Sequence, residues 1–297
     1  MVSNNFIIIK MTDGLGNQLF QYALSRSLSL KGNNVHIDVS WFDSIEDRYT
    51  KREFSLNKFK SKYIIADSKI IQQTKTPEFP ILLNSIYWRT QIFIPYYKKR
   101  YFREQNQGYD KNVFNCNRNC YLVGFWQSYL YFDSIRNELL HEITLKQESS
   151  TFQLLFKEIL SKKKSIAIHV RRGDYTNKDS AHLIITNEFY KNAIDYIKSV
   201  LGSENHFYFF SDDLKYIEQQ DYFRYCENKT LVSGFDATED LMLIKACSHQ
   251  IISNSTFSWW GAWLNENPKK IIIAPKTWMK EQEKENNDLI PDDWIKL

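Results

Sequence analysis

No apolar stretch of this chain is long enough to cross a membrane. The run Phe6-Ile7-Ile8-Ile9 closes at Lys10 and is too short even for the core of a signal peptide. A soluble cytoplasmic protein is expected, including one that works at the inner membrane face. There is little excess charge: 39 basic against 35 acidic residues give +4 over 297 positions, which argues against general nucleic-acid binding and makes any anion recognition local. Cysteine is scarce. Cys116 and Cys120 lie four apart, but with Cys226 and Cys247 they complete no zinc pattern, so four reduced thiols are expected. No clustered set of histidines and carboxylates appears, so no metal is expected to be required. No Gly-Lys-Ser or Gly-Lys-Thr sequence occurs, which excludes a P-loop kinase. Internal repeats and low-complexity tracts are absent.

What is present is an ordinary globular balance, 43% hydrophobic and 25% charged, with a high aromatic content of 15%. Aromatics on that scale suit a protein that holds sugar or base rings, although cores use them too. The length fits one large or two medium domains. A strand from Phe6 to Lys10, a Gly-containing loop, a helix from about Gln18 to Lys31 and a strand from Val35 to Val39 form a Rossmann-type unit. On that helix Leu19, Phe20, Ala23, Leu24 and Leu28 make the apolar stripe, and Gln18, Gln21 and Ser25 lie off it. Residues 44–110 read as irregular structure with short helices. A strand follows at Tyr121–Phe125 and an amphipathic helix at Phe132–Leu145. The polar stretch Gln147–Lys164 marks a boundary between domains at 1–150 and 151–297. Beyond it strands near 166–170, 206–210, 230–233, 250–253 and 270–274 alternate with helices, which predicts a parallel sheet covered by helices. Two Rossmann-like domains with their sheets facing across a cleft are expected.

The most informative segment is Ser165–Tyr175. Ile166, Ala167, Ile168 and Val170 form a buried-strand run that breaks into Arg171, Arg172, Gly173 and Asp174. Two guanidiniums where a buried strand meets a turn are costly unless something anionic sits there. Open α/β sheets bind ligands beyond the carboxyl ends of their strands, and arginine suits bidentate contact with phosphate. The competing reading is an Arg-Asp ion pair closing a turn. His169 shares a strand face with Arg171 and is either a ligand contact or a hydrogen-bonded core histidine.

Three further stretches carry candidate chemistry. Asp13–Asn17 has Gly14 and Gly16 ahead of a helix start but lacks the third glycine of a dinucleotide fingerprint; Asn17 is equally an N-cap. At Ser253–Gly261 a buried strand opens through Asn254, Ser255 and Thr256 into a helix, a start suited to phosphate or nucleoside, with Phe257, Trp259 and Trp260 stacking on a ring or filling the core. Asp212 and Asp213 follow a strand; adjacent side chains on extended backbone point apart, so Asp212 fits a helix cap or a hydrogen bond to ribose or guanine better than a metal site.

Together these motifs resemble a known family. Asp-Gly-Leu-Gly-Asn-Gln-Leu-Phe-Gln-Tyr-Ala at 13–23, Gly-Phe-Trp-Gln-Ser at 124–128, His-Val-Arg-Arg-Gly-Asp-Tyr at 169–175, Phe-Ser-Asp-Asp at 210–213 and Ser-Asn-Ser-Thr-Phe-Ser-Trp-Trp-Gly-Ala-Trp-Leu at 253–264 are similar to the bacterial α-1,2-fucosyltransferases. The resemblance implies a GT-B fold, GDP-β-L-fucose as donor substrate with no cofactor or metal, and inverting transfer to the 2-hydroxyl of a galactose-terminated oligosaccharide or glycolipid. It places the donor on the C-terminal domain and the acceptor on the N-terminal one. The candidate donor contacts are His169, Arg171, Arg172, Gly173, Asp212, Asn254, Ser255, Thr256 and Phe257; Asn17 and Gln18 are candidates to orient the acceptor's sugar hydroxyls, and His182 is either an acceptor contact or a loop residue. Arg171 or Arg172, with the backbone amides near Ser255 and Thr256, would meet the charge on the departing β-phosphate, with Asp174 holding the arginines by ion pairing. A carboxylate among Asp13, Asp174 and Asp179 would take the acceptor proton. The family pattern carries Gly where this chain has Asp13, so a base at that position is not one the family shares. Other readings are a different sugar donor, a sulfotransferase, or a carbohydrate or nucleic-acid binder using the run Lys98–Arg103.

Overall fold

The computed structural model describes residues 6–43, 52–75, 93–105, 107–116, 119–173, 183–202, 204–279 and 288–297. The chain divides into two compact units, Met1–Ile143 with Asn286–Leu289, and Thr144–Glu285 with Ile290–Leu297.

In the first unit, strands β1 (Ile7–Lys10), β2 (Val35–Asp38), β3 (Tyr101–Arg103) and β4 (Cys120–Val123) form a parallel sheet in the order β2-β1-β4-β3. Helix α1 (Leu15–Leu30) connects β1 to β2, and α2 (Ser68–Lys75) lies against β4. α1 starts three residues earlier than its apolar spacing suggests. It is also buried almost all round: Gln18, Gln21 and Ser25, expected off the core stripe, are 1%, 0% and 4% exposed. The 44–110 region contributes a strand, β3, where irregular structure was expected. Its three residues are too few to show a period. The helix expected at Phe132–Leu145 is a 3₁₀ turn at Asp133–Ile135 continued by α3 (Arg136–Glu142). A bidentate ion pair from Arg26 of α1 to Glu142 (both contacts 2.8 Å) ties α3 to α1, and the Tyr22 hydroxyl donates to the same carboxylate at 2.5 Å.

The second unit begins with α4 (Ser150–Ser161), inside the stretch that reads as a polar boundary. Ser149 caps it by accepting the Phe152 N–H at 3.1 Å, and Phe152 and Ile159 are buried beneath it. Strands β5 (Ser165–Val170), β6 (His206–Ser211), β7 (Lys229–Leu231), β8 (His249–Ile251), β9 (Ile272–Ala274) and β10 (Ile295–Lys296) form a wholly parallel sheet ordered β10-β9-β8-β5-β6-β7. Counted within the unit, this is the Rossmann order 3-2-1-4-5-6. Helix α5 (Asn187–Leu201) links β5 to β6. The short helices α6 (Leu214–Glu218) and α7 (Asp221–Arg224) link β6 to β7, α8 (Ala237–Ala246) links β7 to β8, and α9 (Thr256–Trp263) links β8 to β9. β5 is central and buried along its whole length, which is why it reads as a continuous apolar run. Among the described residues no helix is long and apolar enough to cross a membrane.

Candidate active site

In a doubly wound sheet the strand order reverses once, and the carboxyl ends of the two strands flanking that point leave a crevice. In the second unit those strands are β5 and β8, which pair in parallel. β5 runs into Arg171-Arg172-Gly173, and β8 runs into Ile252-Ser253-Asn254-Ser255 and the start of α9. The loops singled out for phosphate therefore emerge side by side.

Each side chain there has a definite partner or a definite exposure. Arg171 Nη1 meets Asp212 Oδ2 at 2.9 Å, and the other Asp212 oxygen accepts the backbone N–H of Arg172 at 2.9 Å. Asp212 thus binds the arginine segment from the next strand and does not cap a helix. Asp213 is the cap of α6, accepting the Tyr216 N–H at 3.1 Å. A Cβ at Gly173 would sit 2.5 Å from Asp212 Oδ2, so a larger residue there must displace that carboxylate. The Arg172 guanidinium lies 3.9 Å over the Tyr216 ring, and its Nε is buried without a hydrogen-bond partner. A buried unpaired guanidinium nitrogen is rare in folded proteins and marks this group as waiting for an acceptor.

His169 is 5% exposed and shares a 2.8 Å hydrogen bond through Nδ1 with Ser253 Oγ, tying β5 to the loop after β8. Burial, reinforced by the charge of Arg171, pushes its pKa down to about 3, so the ring is neutral. Asn254 is fully buried and its amide donates to the carbonyls of Leu183 and Trp278, both at 2.8 Å. His169 and Asn254 are thereby braces of the crevice wall. Ser255 stands at the start of α9 with no side-chain capping bond, leaving the first amides of that helix, from Thr256 onward, turned to the crevice. Phe257 is partly buried, 5.5 Å from the His169 ring, whereas Trp259 and Trp260 are fully buried core. Tyr216 was not singled out by sequence; it would have followed from its place one turn into the helix that Asp213 caps. Asp174, Asp179 and His182 lie outside the described residues.

The first unit has its own reversal point, between β1 and β4. Asp13 sits there at φ 71°, in the left-handed region that glycine prefers and aspartate tolerates. That backbone requirement accounts for glycine at this position in the family pattern. Asn17 is inside α1, not its cap, and its Oδ1 accepts the Gln127 amide at 2.8 Å. The Gln18 amide is spent on backbone: it donates to the carbonyls of Asp13 (2.9 Å) and Glu53 (2.8 Å) and accepts from Ser55 (2.9 Å). Gln21, missed by sequence, joins β1 to β4 by bonding Thr12 and the Gly124 carbonyl. Glu104 accepts the N–H groups of Phe125 (2.8 Å) and Trp126 (3.1 Å) and holds Trp126 at φ 57°. Burial raises its pKa to about 7 against the pull of those two amides.

Comparison with known proteins converges on this architecture. The family model described as Glycosyl transferase family 11 matches residues 6–297. The Escherichia coli O-antigen biosynthesis glycosyltransferase WbnK is 30% identical, with 97% of this chain and 99% of that protein covered. An alpha-1,2-colitosyltransferase of Escherichia coli is 28% identical, with 99% of each covered. In fold, the chain is similar to NodZ alpha-1,6-fucosyltransferase soaked with GDP-fucose, with a TM-score of 0.52, 16% identity and coverage of 91% of this chain and 94% of that one. It is also similar to an Arabidopsis thaliana FUT1 variant in complex with GDP, with a TM-score of 0.51, 12% identity and coverage of 94% and 72%. The fold is thus of GT-B type, and the match over nearly the whole sequence shows that the chain belongs to glycosyl transferase family 11.

Proposed function

We propose that this glycosyltransferase moves L-fucose from GDP-β-L-fucose to the 2-hydroxyl of a terminal galactoside, with inversion and without a metal ion. The observation that carries the reading is the crevice between β5 and β8. There an unpartnered Arg172 nitrogen and the uncapped start of α9 flank the same strand ends. Breaking the bond from sugar to diphosphate leaves added negative charge on the β-phosphate. Arg172 and the amides from Thr256 onward are fixed donors for that charge, held in place before the reaction begins. Arg171, anchored by Asp212, supplies a second positive charge and keeps the segment in register. Fixed guanidiniums in this role do what a divalent cation does in metal-dependent transferases, so activity should survive EDTA. The acceptor proton goes to a carboxylate, with Asp13, Asp174 and Asp179 the candidates. The 30% identical relative, an O-antigen glycosyltransferase, supports a lipid-carried oligosaccharide as acceptor. The enzyme would then work in the cytoplasm at the inner membrane face.

A second donor is favoured by one observation, the colitosyltransferase at 28% identity. Colitose is fucose without its 3-hydroxyl, so the two GDP-sugars share every group the crevice would hold. Incubation with GDP-fucose and GDP-colitose over a panel of galactosides, reading GDP release and product linkage, decides between them. Release of GDP from neither, under conditions where the protein is folded, overturns both.

A further inference from the structure

The first sheet holds its backbone under strain at the edge where its strand order reverses. Among the described residues two that are not glycine have positive φ, Asp13 at 71° and Trp126 at 57°. Asp13 is the third residue past β1, and Trp126 is the third residue past β4. An aromatic residue in the left-handed region is costly. Such conformations persist where the surrounding structure enforces them, and they cluster at ligand sites. The Trp126 side chain is spent inside the protein. It is 0% exposed, and its ring packs edge-to-face with Phe102 at 5.6 Å and Tyr131 at 6.0 Å. The residue before it, Phe125, is 41% exposed.

The loop that carries Phe125 is pinned on both sides of it. Glu104 follows β3 directly and lies beside Gly124, because β3 and β4 pair in parallel with Arg103 opposite Val123. Its carboxylate accepts the N–H groups of Phe125 and Trp126, and a Cβ at position 124 would sit 2.6 Å from the Glu104 Cβ. The Gly124 carbonyl accepts from Gln21 at 3.1 Å, and the Gln127 amide donates to Asn17 at 2.8 Å. Residues 124 to 127 are thus fixed one after another, and one of them holds an apolar ring out to solvent. A single apolar side chain on a surface calls for no explanation. One presented by a strained and braced loop, at the strand ends where parallel sheets bind ligands, does call for one.

Asn17 and Gln18 were expected to orient the acceptor's hydroxyls on this edge, and both are bonded within the protein. The Phe125 ring is what this loop leaves open. A pyranose offers an apolar face as well as hydroxyls. In galactose the axial 4-hydroxyl leaves C–H groups gathered on the opposite face of the ring, a patch that packs well on an aromatic face. We propose that Phe125 is the platform on which the terminal galactose of the acceptor stacks. The first unit would then select its acceptor by the shape of a sugar face, and not through the amides of Asn17 and Gln18. The inference rests on the transfer to a galactoside proposed above.

The test is the initial rate of transfer to methyl β-D-galactoside, lactose and N-acetyllactosamine, with GDP-fucose or GDP-colitose as donor. It compares the full chain with Phe125→Ala, Phe125→Tyr and Phe125→Leu, and GDP affinity by calorimetry and the melting temperature are measured on each. Phe125→Ala should raise the acceptor KM about tenfold and change kcat little, because the contact is made equally before and during the reaction. Phe125→Tyr should keep the KM of the unaltered protein. Phe125→Leu is apolar but has no flat face, and it should recover little. GDP affinity should hold in all three, and so should the melting temperature. An unchanged acceptor KM in Phe125→Ala overturns the proposal. So does full recovery by leucine, and so does a fall in GDP affinity with acceptor KM unmoved, which would put the ring against the donor. If Phe125→Ala melts lower, the tyrosine and leucine variants, which keep most of the bulk, decide by KM. If the unaltered protein binds no GDP, or transfers to none of these galactosides, the transfer reading itself falls and takes this inference with it.

Discussion

The two units present the same piece of topology, a parallel sheet whose order reverses at one point, and they finish it in opposite ways. At the β1/β4 point the polar side chains other than Asp13 are amides, and they are spent. Gln18 and Gln21 bond backbone on several segments, and Asn17 bonds Gln127. At the β5/β8 point the side chains are charged, and the set is incomplete. Arg171 is paired with Asp212, but Arg172 has a buried nitrogen with no acceptor. A closed network of neutral groups holds a backbone in one shape. An open set of charges lowers its free energy when an ion of opposite sign arrives. The contrast gives the amides of the first edge an architectural part and leaves the second edge equipped for an anion.

The largest effect should come from the open set. Arg172→Ala removes one preorganised donor and should lower kcat by roughly a hundredfold to a thousandfold. Arg172→Lys should restore only part of it, since an ammonium cannot reproduce the planar fork. Circular dichroism should show an unchanged fold in both. Near-normal turnover by Arg172→Ala would break the comparison at its stronger end.

Next comes the closed set. Gln21→Ala removes a fully buried side chain and leaves the half-buried Thr12 N–H and Gly124 carbonyl without that partner. Each orphaned group costs about 1–3 kcal/mol, so urea unfolding should show a clear loss of stability. GDP affinity should not change. A variant of normal stability whose acceptor KM rises would mean that the first edge binds substrate through Gln21, and the contrast would fail.

Gly173→Ala sharpens the comparison from within the second unit. The added methyl would press on Asp212 Oδ2 and push the carboxylate off Arg171. Crowding of this kind costs about 1–3 kcal/mol. If the Arg171–Asp212 pair positions the arginine segment, the loss appears in kcat as well as in the melting temperature. If the pair only closes a turn, the melting temperature alone falls.

Much of the second unit was legible in the sequence. Fully buried parallel strands read as apolar runs, and β5 ends on two arginines that no core would accept. The order of loops along the chain then located the crevice. What could not be read was the partnering. Asp212 lies 40 residues from Arg172, and Gln21 bonds a carbonyl 103 residues away. A polar side chain in a sequence looks exposed until its distant partner is known, which is why Gln18 and Gln21 were placed off the core stripe. Helix α4 was missed because Lys162, Lys163 and Lys164 at its end gave the segment a polar look, although Phe152 and Ile159 are buried. β3 and β10 were missed because two or three residues carry no period.

The smallest predicted effect compares how the two edges titrate. His169 is buried and neutral, with its pKa lowered from 6.5 to about 3. Below pH 6.5 the unfolded chain binds a proton there and the folded chain does not. Its contribution to stability is therefore whole above that pH and is lost as pH falls toward 3, by at most about 1.4 kcal/mol per unit. Glu104 in the first unit has its pKa raised from 4.5 to about 7. Between those values the folded chain holds the proton, so its contribution is whole at low pH and is lost as pH rises through 7. Asp240 carries the same direction in the second unit, raised from 3.8 to about 7. Near pH 5.5 one rising slope meets two falling ones, so the stability contributed by these three groups should fall as pH rises. Urea unfolding from pH 4.5 to 7.5 checks this. Glu104→Gln should bring the curve close to level, His169→Gln should make it fall more steeply with pH, and curves parallel to that of the unaltered protein would show that neither group is held as the structure has it.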